Sequence, residues 1–231
     1  MGTIFGKQTV AEPAFEVLYR QTQQAYEIRR YATRFAASTS TDANSDSAPF
    51  NALARYIGVF GTPENQGRTA ISMTAPVVKE ESSGSSQPEA MAMTAPVVKT
   101  PSDPNGEAGM VMKFILPAAY DSMEKIPQPT NPRVHIEEIP PAVGAVHRYS
   151  GSFDDTVSRN KARWLAQQLR EDGVDITEDY AVEHYQFWGY NPPFTLPMFR
   201  RNEVWIELDA TQVDQIVNGK GGAASSTSAV N

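Results

Sequence analysis

The chain has 231 residues, 40% of them hydrophobic and 10% aromatic, which is enough apolar material for a substantial core. A net charge of −7 without a basic block argues against nucleic acid or an anionic membrane as the main partner, and the lack of cysteine excludes thiolate catalysis, Cys-ligated zinc, iron–sulfur clusters and disulfides. No apolar run approaches the roughly 18 residues of a membrane span, and residues 1–10 carry neither a secretory pattern nor the Arg- and Ser-rich makeup of a transit peptide, so a reducing, cytoplasmic location is the expectation.

Residues 1–14 show no periodicity and are read as an N-terminal extension of one domain spanning 15–210, with halves at about 15–117 and 133–208. Phe15–Tyr19 and Tyr26–Tyr31 are expected strands, the second alternating Tyr26 and Ile28 against Glu27 and Arg29, and Arg34–Ser40 is a third. The period then changes. Phe50, Leu53, Ile57 and Phe60 recur at three and four, predicting a helix opened by Asp46 or Ser47, with Pro49 in its first turn, and closed by Gly61 and Pro63.

Two identical heptapeptides follow, Met73-Thr-Ala-Pro-Val-Val-Lys79 and Met93-Thr-Ala-Pro-Val-Val-Lys99, separated by a polar insert. Each is read as a strand entered through an edge or bulge, because proline gives no ladder donor and two β-branched residues follow it. A local duplication that lengthened a hairpin is the alternative. Gly109–Pro117 reads as a further strand, and a linker with Pro127, Pro129 and Pro132 separates the halves.

The second half resembles the first. Val134–Ile139 lines up with Tyr26–Tyr31, and Val143–Val146 then falls opposite Phe35–Ser38 without a gap. A helix over Asp155–Asp172 comes next, capped by Asp154 or Asp155 and stopped by Gly173; strands are expected at Tyr180–Tyr190 and Glu203–Leu208. Gln212–Val217 suits one last helical turn, and residues 218–231 have the makeup of a disordered tail. The order strand, strand, helix, strand, strand thus occurs twice. It implies an α+β fold in which two βαβ-like halves join one antiparallel or barrel-like sheet, with the helices packed on it.

The three histidines, His135, His147 and His184, lack partners at metal-ligand spacing, and no hydrolase elbow, phosphate loop or carboxylate pair stands out. No catalytic or metal site is assigned. The informative stretch is Phe187–Trp205, where prolines fix an extended loop carrying Tyr190, Phe194, Met198 and Phe199, with Arg200 and Arg201 at its end. Rings beside guanidinium groups suit a flat apolar ligand with carboxylates. Equally, these side chains would pin the loop to the sheet while the arginines pair with Glu203 or Glu207.

Together the doubled Met-Thr-Ala-Pro-Val-Val, the Gly189-Tyr-Asn-Pro-Pro193 turn and Arg200-Arg-Asn-Glu-Val-Trp205 resemble the SOUL haem-binding protein family, with further matches at Tyr26–Tyr31 and Arg55-Tyr-Ile-Gly58. The resemblance runs from about Phe15 to Leu208. It implies a distorted antiparallel β-barrel of two pseudo-symmetric βαββ halves flanked by two helices, which binds haem or other tetrapyrroles in an apolar groove beside the first helix. Buffering, transport or delivery of the ligand is the function it implies; the alternatives are removal of haem iron, with Glu203, Glu207 or His184 as proton donors, and a protein-interaction module with incidental porphyrin binding. Carried onto this chain, the cofactor-binding set is Phe50, Ala54 and Arg55 from the helix and Phe194, Thr195, Met198 and Arg200 from the loop. The first half has no histidine, so apolar contact and propionate pairing are expected to hold the ring, with iron secondary.

Overall fold

The computed structural model describes residues 11–21, 23, 25–41, 47–81, 110–152, 154–191 and 195–224. Nine strands form one antiparallel sheet: β1 (Phe15–Arg20), β2 (Glu27–Tyr31), β3 (Arg34–Thr41), β4 (Val77–Glu81), β5 (Met110–Ile115), β6 (His135–Ile139), β7 (Ala142–Tyr149), β8 (Gln186–Gly189) and β9 (Asn202–Glu207). Four helices accompany them, α1 (Ser47–Ile57), α2 (Asp155–Glu171), α3 (Glu178–His184) and α4 (Ala210–Ala224). The fold is α+β, with the sheet curled into a half-barrel.

The strand order, β1-β2-β7-β9-β8-β4-β5-β3-β6, reads as a palindrome once β1 is set aside. Each half gives its first repeat strand to the other: β2 pairs with β7, and β6 with β3. The symmetry places the β4–β8 pair at the centre, where Val77 lies opposite Gly189 and Lys79 opposite Phe187. A half could not close this sheet alone, because its first strand hydrogen-bonds to the other half.

One face of the sheet carries the helices. α1 buries Leu53, Ala54 and Tyr56 against Phe35, Ala37 and Phe114, while α2 buries Leu165, Ala166 and Leu169 against Ile28, Val204 and Ile206. The opposite, concave face is filled by Tyr31, Trp188, Trp205 and Tyr190. There Tyr31 meets both tryptophans edge-on, with centroids 5.3 and 5.4 Å away, and the tryptophans stack at 5.5 Å. Glu203, wholly buried, accepts from Arg29 at 2.9 Å, Tyr190 at 2.7 Å and Arg201 at 2.9 Å, so no charge on that face is left without a counter-charge at Glu203.

Four expectations need correction. α1 ends at Ile57 rather than at Gly61, because Gly58 takes φ +92° and its N–H and that of Val59 return to the last carbonyls; Phe60 therefore leaves the apolar stripe and is 60% exposed. Tyr180–Tyr190 is not one strand. Thr177 accepts from the Tyr180 N–H, Glu178 and Asp179 fill the first turn, and a helix runs to His184 before β8 begins. The last helix is fifteen residues, far longer than one turn. Of the first heptapeptide only Val77–Lys79 is ladder strand; the second, Met93–Lys99, lies outside the described residues, as does Asp46.

Candidate functional site

The palindromic sheet leaves a trough on its helical face. α1 lies over β3 and β5, α2 over β7 and β9, and the central β4–β8 pair between them supports neither. Alternation turns Val77 and Lys79 of β4 and Phe187 and Gly189 of β8 to the same side, and these form the floor of a hollow of about 340 Å³. Phe50 from the first turn of α1 and Met112 from β5 make one wall; Asp155 and Ser158 from the first turn of α2 make the other. Gly189 keeps the floor low, since any side chain there would rise into the space between the helices. Phe50 is held edge-on against Phe114 at 5.3 Å, which fixes its ring on the wall.

The rim is polar. Ser47, Asn51 and Asn191 border the opening, and Asp154 caps α2 by accepting from the N–H groups of Thr156 at 2.8 Å and Val157 at 3.2 Å. The charged pair in the hollow is Lys79, 8% exposed, whose Nζ lies 2.9 Å from Oδ1 of Asp155. A concavity with apolar floor and wall, and a few polar groups at the edge, has the makeup of a small-molecule site at the low end of the usual size.

The residues expected at the site separate. Phe50 lines the hollow. Ala54 has no exposed surface and packs in the core beneath α1, because it shares the inward face with Leu53 and Ile57. Arg55 points away from the hollow, as expected of the face opposite Leu53; its guanidinium is 60% exposed, 3.4 Å from Glu64, in a second depression that also holds Arg133 and Asn131. Asn51 borders both depressions. Arg200 donates from Nε to the Thr195 carbonyl at 2.7 Å, a bond that braces the loop across the short turn Pro197–Phe199. Met198 and Phe199 on that turn are 69% and 54% exposed and do not line the hollow. Phe194 lies outside the described residues.

The neighbouring arginine takes the pinning role. Arg201 lies over the Tyr190 ring at 3.7 Å and bonds Glu203 and, in bidentate fashion, Glu12 at 2.9 and 3.0 Å. Burial and the nearby Glu203 carboxylate push the Tyr190 hydroxyl well above its usual range, keeping it a donor. The three groups named as proton donors for metal removal stand elsewhere: Glu203 is consumed on the concave face, while Glu207 and His184 line a separate acidic hollow of about 950 Å³ beside α3. His184 there stacks on Tyr180 at 4.1 Å.

Sequence reasoning missed Lys79, Asp155 and Gly189. A signal for Lys79 was present, since alternation from Val77 in the repeated heptapeptide puts its side chain on the same face. Nothing in the sequence marked β4 as central, so the floor could not be recognised.

Comparison with known proteins bears on this geometry. The model of the SOUL heme-binding protein matches residues 10–87 and 82–207. The two matched segments overlap between the two copies of the heptapeptide. No curated protein matches the sequence significantly. Among solved structures, the C-terminal domain of EcmrR is similar at 11% identity over 80% of this chain and 96% of that one, with a TM-score of 0.46. A hydrolase from Listeria innocua is similar at 10% identity over 80% of this chain and 91% of that one, with a TM-score of 0.47. Both likenesses are too distant to bear on the site.

Proposed function

The chain belongs to the SOUL heme-binding protein family, and from that premise we propose that it holds haem or a related tetrapyrrole in the hollow between α1 and α2, for buffering, transport or delivery. The observation that carries this reading is the uncovered β4–β8 pair, whose floor of Val77 and Phe187, with Phe50 and Met112 beside it, offers apolar surface to a flat ring. Rings of Phe50 and Phe187 cover the face of such a ligand, and the rim groups Ser47, Asn51 and Asn191 hydrate its edge. The donor set suits the ring more than the metal. No histidine lines the hollow among the described residues, and Met112 is the only sulfur in its lining. Haem bound there would supply redox and ligand chemistry of its own, while the chain supplies apolar contact and exclusion of water.

Parallel titrations with haem and with metal-free protoporphyrin, followed by absorbance and tryptophan quenching, test the proposal. Comparable affinities are expected, and Phe50→Asp should weaken both by about tenfold or more, since it replaces a packed ring with a charge on the wall. Haem bound far more tightly than protoporphyrin, with a sharp six-coordinate spectrum, or affinities indifferent to Phe50→Asp, would overturn it.

A further inference from the structure

A lysine in the lining of an apolar hollow is chemically out of place. Lys79 is 8% exposed, and its neighbours across the ladder are Phe187 on one side and Met112 on the other. Burial of an ammonium in such surroundings is tolerated only with a counter-charge. The counter-charge that lies in the hollow is Asp155, the first residue of α2, and the two partners are unlike in one respect. The Lys79 side chain is 9% exposed and Asp155 57%, so the pair joins a fixed cation in the hollow to an acid that is more than half in water.

That asymmetry sets what each partner loses on separation. Asp155 swung outward regains its hydration, and its place at the start of α2 stays favourable because the helix N-terminus attracts a carboxylate whether or not it touches lysine. Lys79 cannot follow, because its stem is held on β4 in the middle of the sheet. It needs another acid in the same place. Asp154 cannot serve, since its side chain is engaged by the N–H groups of Thr156 and Val157.

We propose that Lys79 is the carboxylate-recognising residue of the hollow and that Asp155 is an internal stand-in for the ligand's acid, displaced when a carboxylate on a flat apolar ligand enters. This deepens the tetrapyrrole reading and rests on it: the ring meets Phe50 and Phe187, and one of its acid groups replaces Asp155 on the Lys79 ammonium. The exchange preserves the number of ion pairs and moves one from a half-wet to a covered setting, where a charge-assisted hydrogen bond is stronger. The arginines expected to hold the acids, Arg55 and Arg200, line neither the floor nor the walls of this hollow.

The account separates from a purely structural tie between β4 and α2 by the sign of two substitutions. Protoporphyrin IX and its dimethyl ester, which lacks the acids, are titrated into the wild type, Asp155→Asn and Lys79→Met. The preference for diacid over diester is expected to rise severalfold in Asp155→Asn, where no internal acid competes, and to fall by about tenfold in Lys79→Met. Asp155→Asn changes an exposed position and provides the decisive arm even if Lys79→Met folds poorly. A preference that falls in Asp155→Asn, or that is the same in all three proteins, overturns the proposal while leaving the ring-binding reading intact. Failure of the wild type to bind either porphyrin overturns both.

Discussion

At the scale of single residues, the side chains that carry charge inside this molecule are each answered by a partner, and His147 is the one whose answer is incomplete. Its Nδ1 meets the Ala25 carbonyl at 2.7 Å, Trp164 lies 4.4 Å from its ring and Tyr149 stacks at 6.1 Å, while Nε2 is buried without a hydrogen-bond partner. Burial holds the imidazole below its ordinary value of about 6.5; the Ala25 carbonyl opposes that shift, and the nearby Lys161 adds to it. The sign follows from proton counting: below about pH 6.5 the unfolded chain takes up a proton that the folded one refuses, so stability present above that pH is lost as the solution is acidified. Urea midpoints of the wild type should therefore fall between pH 7.5 and 5 more steeply than those of His147→Phe. Parallel profiles would show that this imidazole is not the sensor. The same scale limits what could be read from sequence. His147 was visible as sharing a face with Tyr149, yet its burial depends on Trp164 from a helix eight residues beyond β7, and Lys79 could be placed on a face but not at the centre of a sheet.

Among the elements, legibility followed the strength of local pattern. Both long helices were recognisable because their apolar period and caps agree, with Asp154 at the head of α2 and Gly173 at φ +94° beyond its end. α3 was not, because Tyr180, Val182 and Tyr185 are residues favoured in strands, and the cap at Thr177 with its two following acids was outweighed by them. The first repeat strand of each half was found by aligning one half with the other. What alignment could not supply was the crossing of β2 and β6 to the opposite half. Close packing between strands also fixes single positions: a Cβ on Gly144 of β7 would sit 2.5 Å from the Trp205 ring and 2.6 Å from the Ile206 carbonyl of β9. Gly144→Ala is expected to destabilise the fold by about 1–3 kcal/mol, read as a lowered Tm, because one of the obstacles is backbone. An unchanged Tm would mean that β7 and β9 are free to separate at this point.

For the molecule as a whole, two-fold exchange of strands produces both the sheet and the trough. Placing β4 and β8 at the centre while α1 and α2 occupy the flanks leaves an apolar strip between two helix N-termini, and the family to which the chain belongs is one of haem binders. The resemblance in the sequence pointed to a groove beside the first helix, and the structure offers a hollow there whose floor comes from the sheet and whose far wall comes from the second helix. Heteronuclear NMR of the labelled protein during addition of free-base protoporphyrin tests this location most directly. The account predicts ring-current shifts at the amides of Phe50, Asn51, Val77, Lys79, Phe187 and Gly189, with those of Glu183 and His184 in the acidic hollow unmoved. Shifts confined to the acidic hollow or to the turn Pro197–Phe199, with the β4–β8 amides silent, would contradict it.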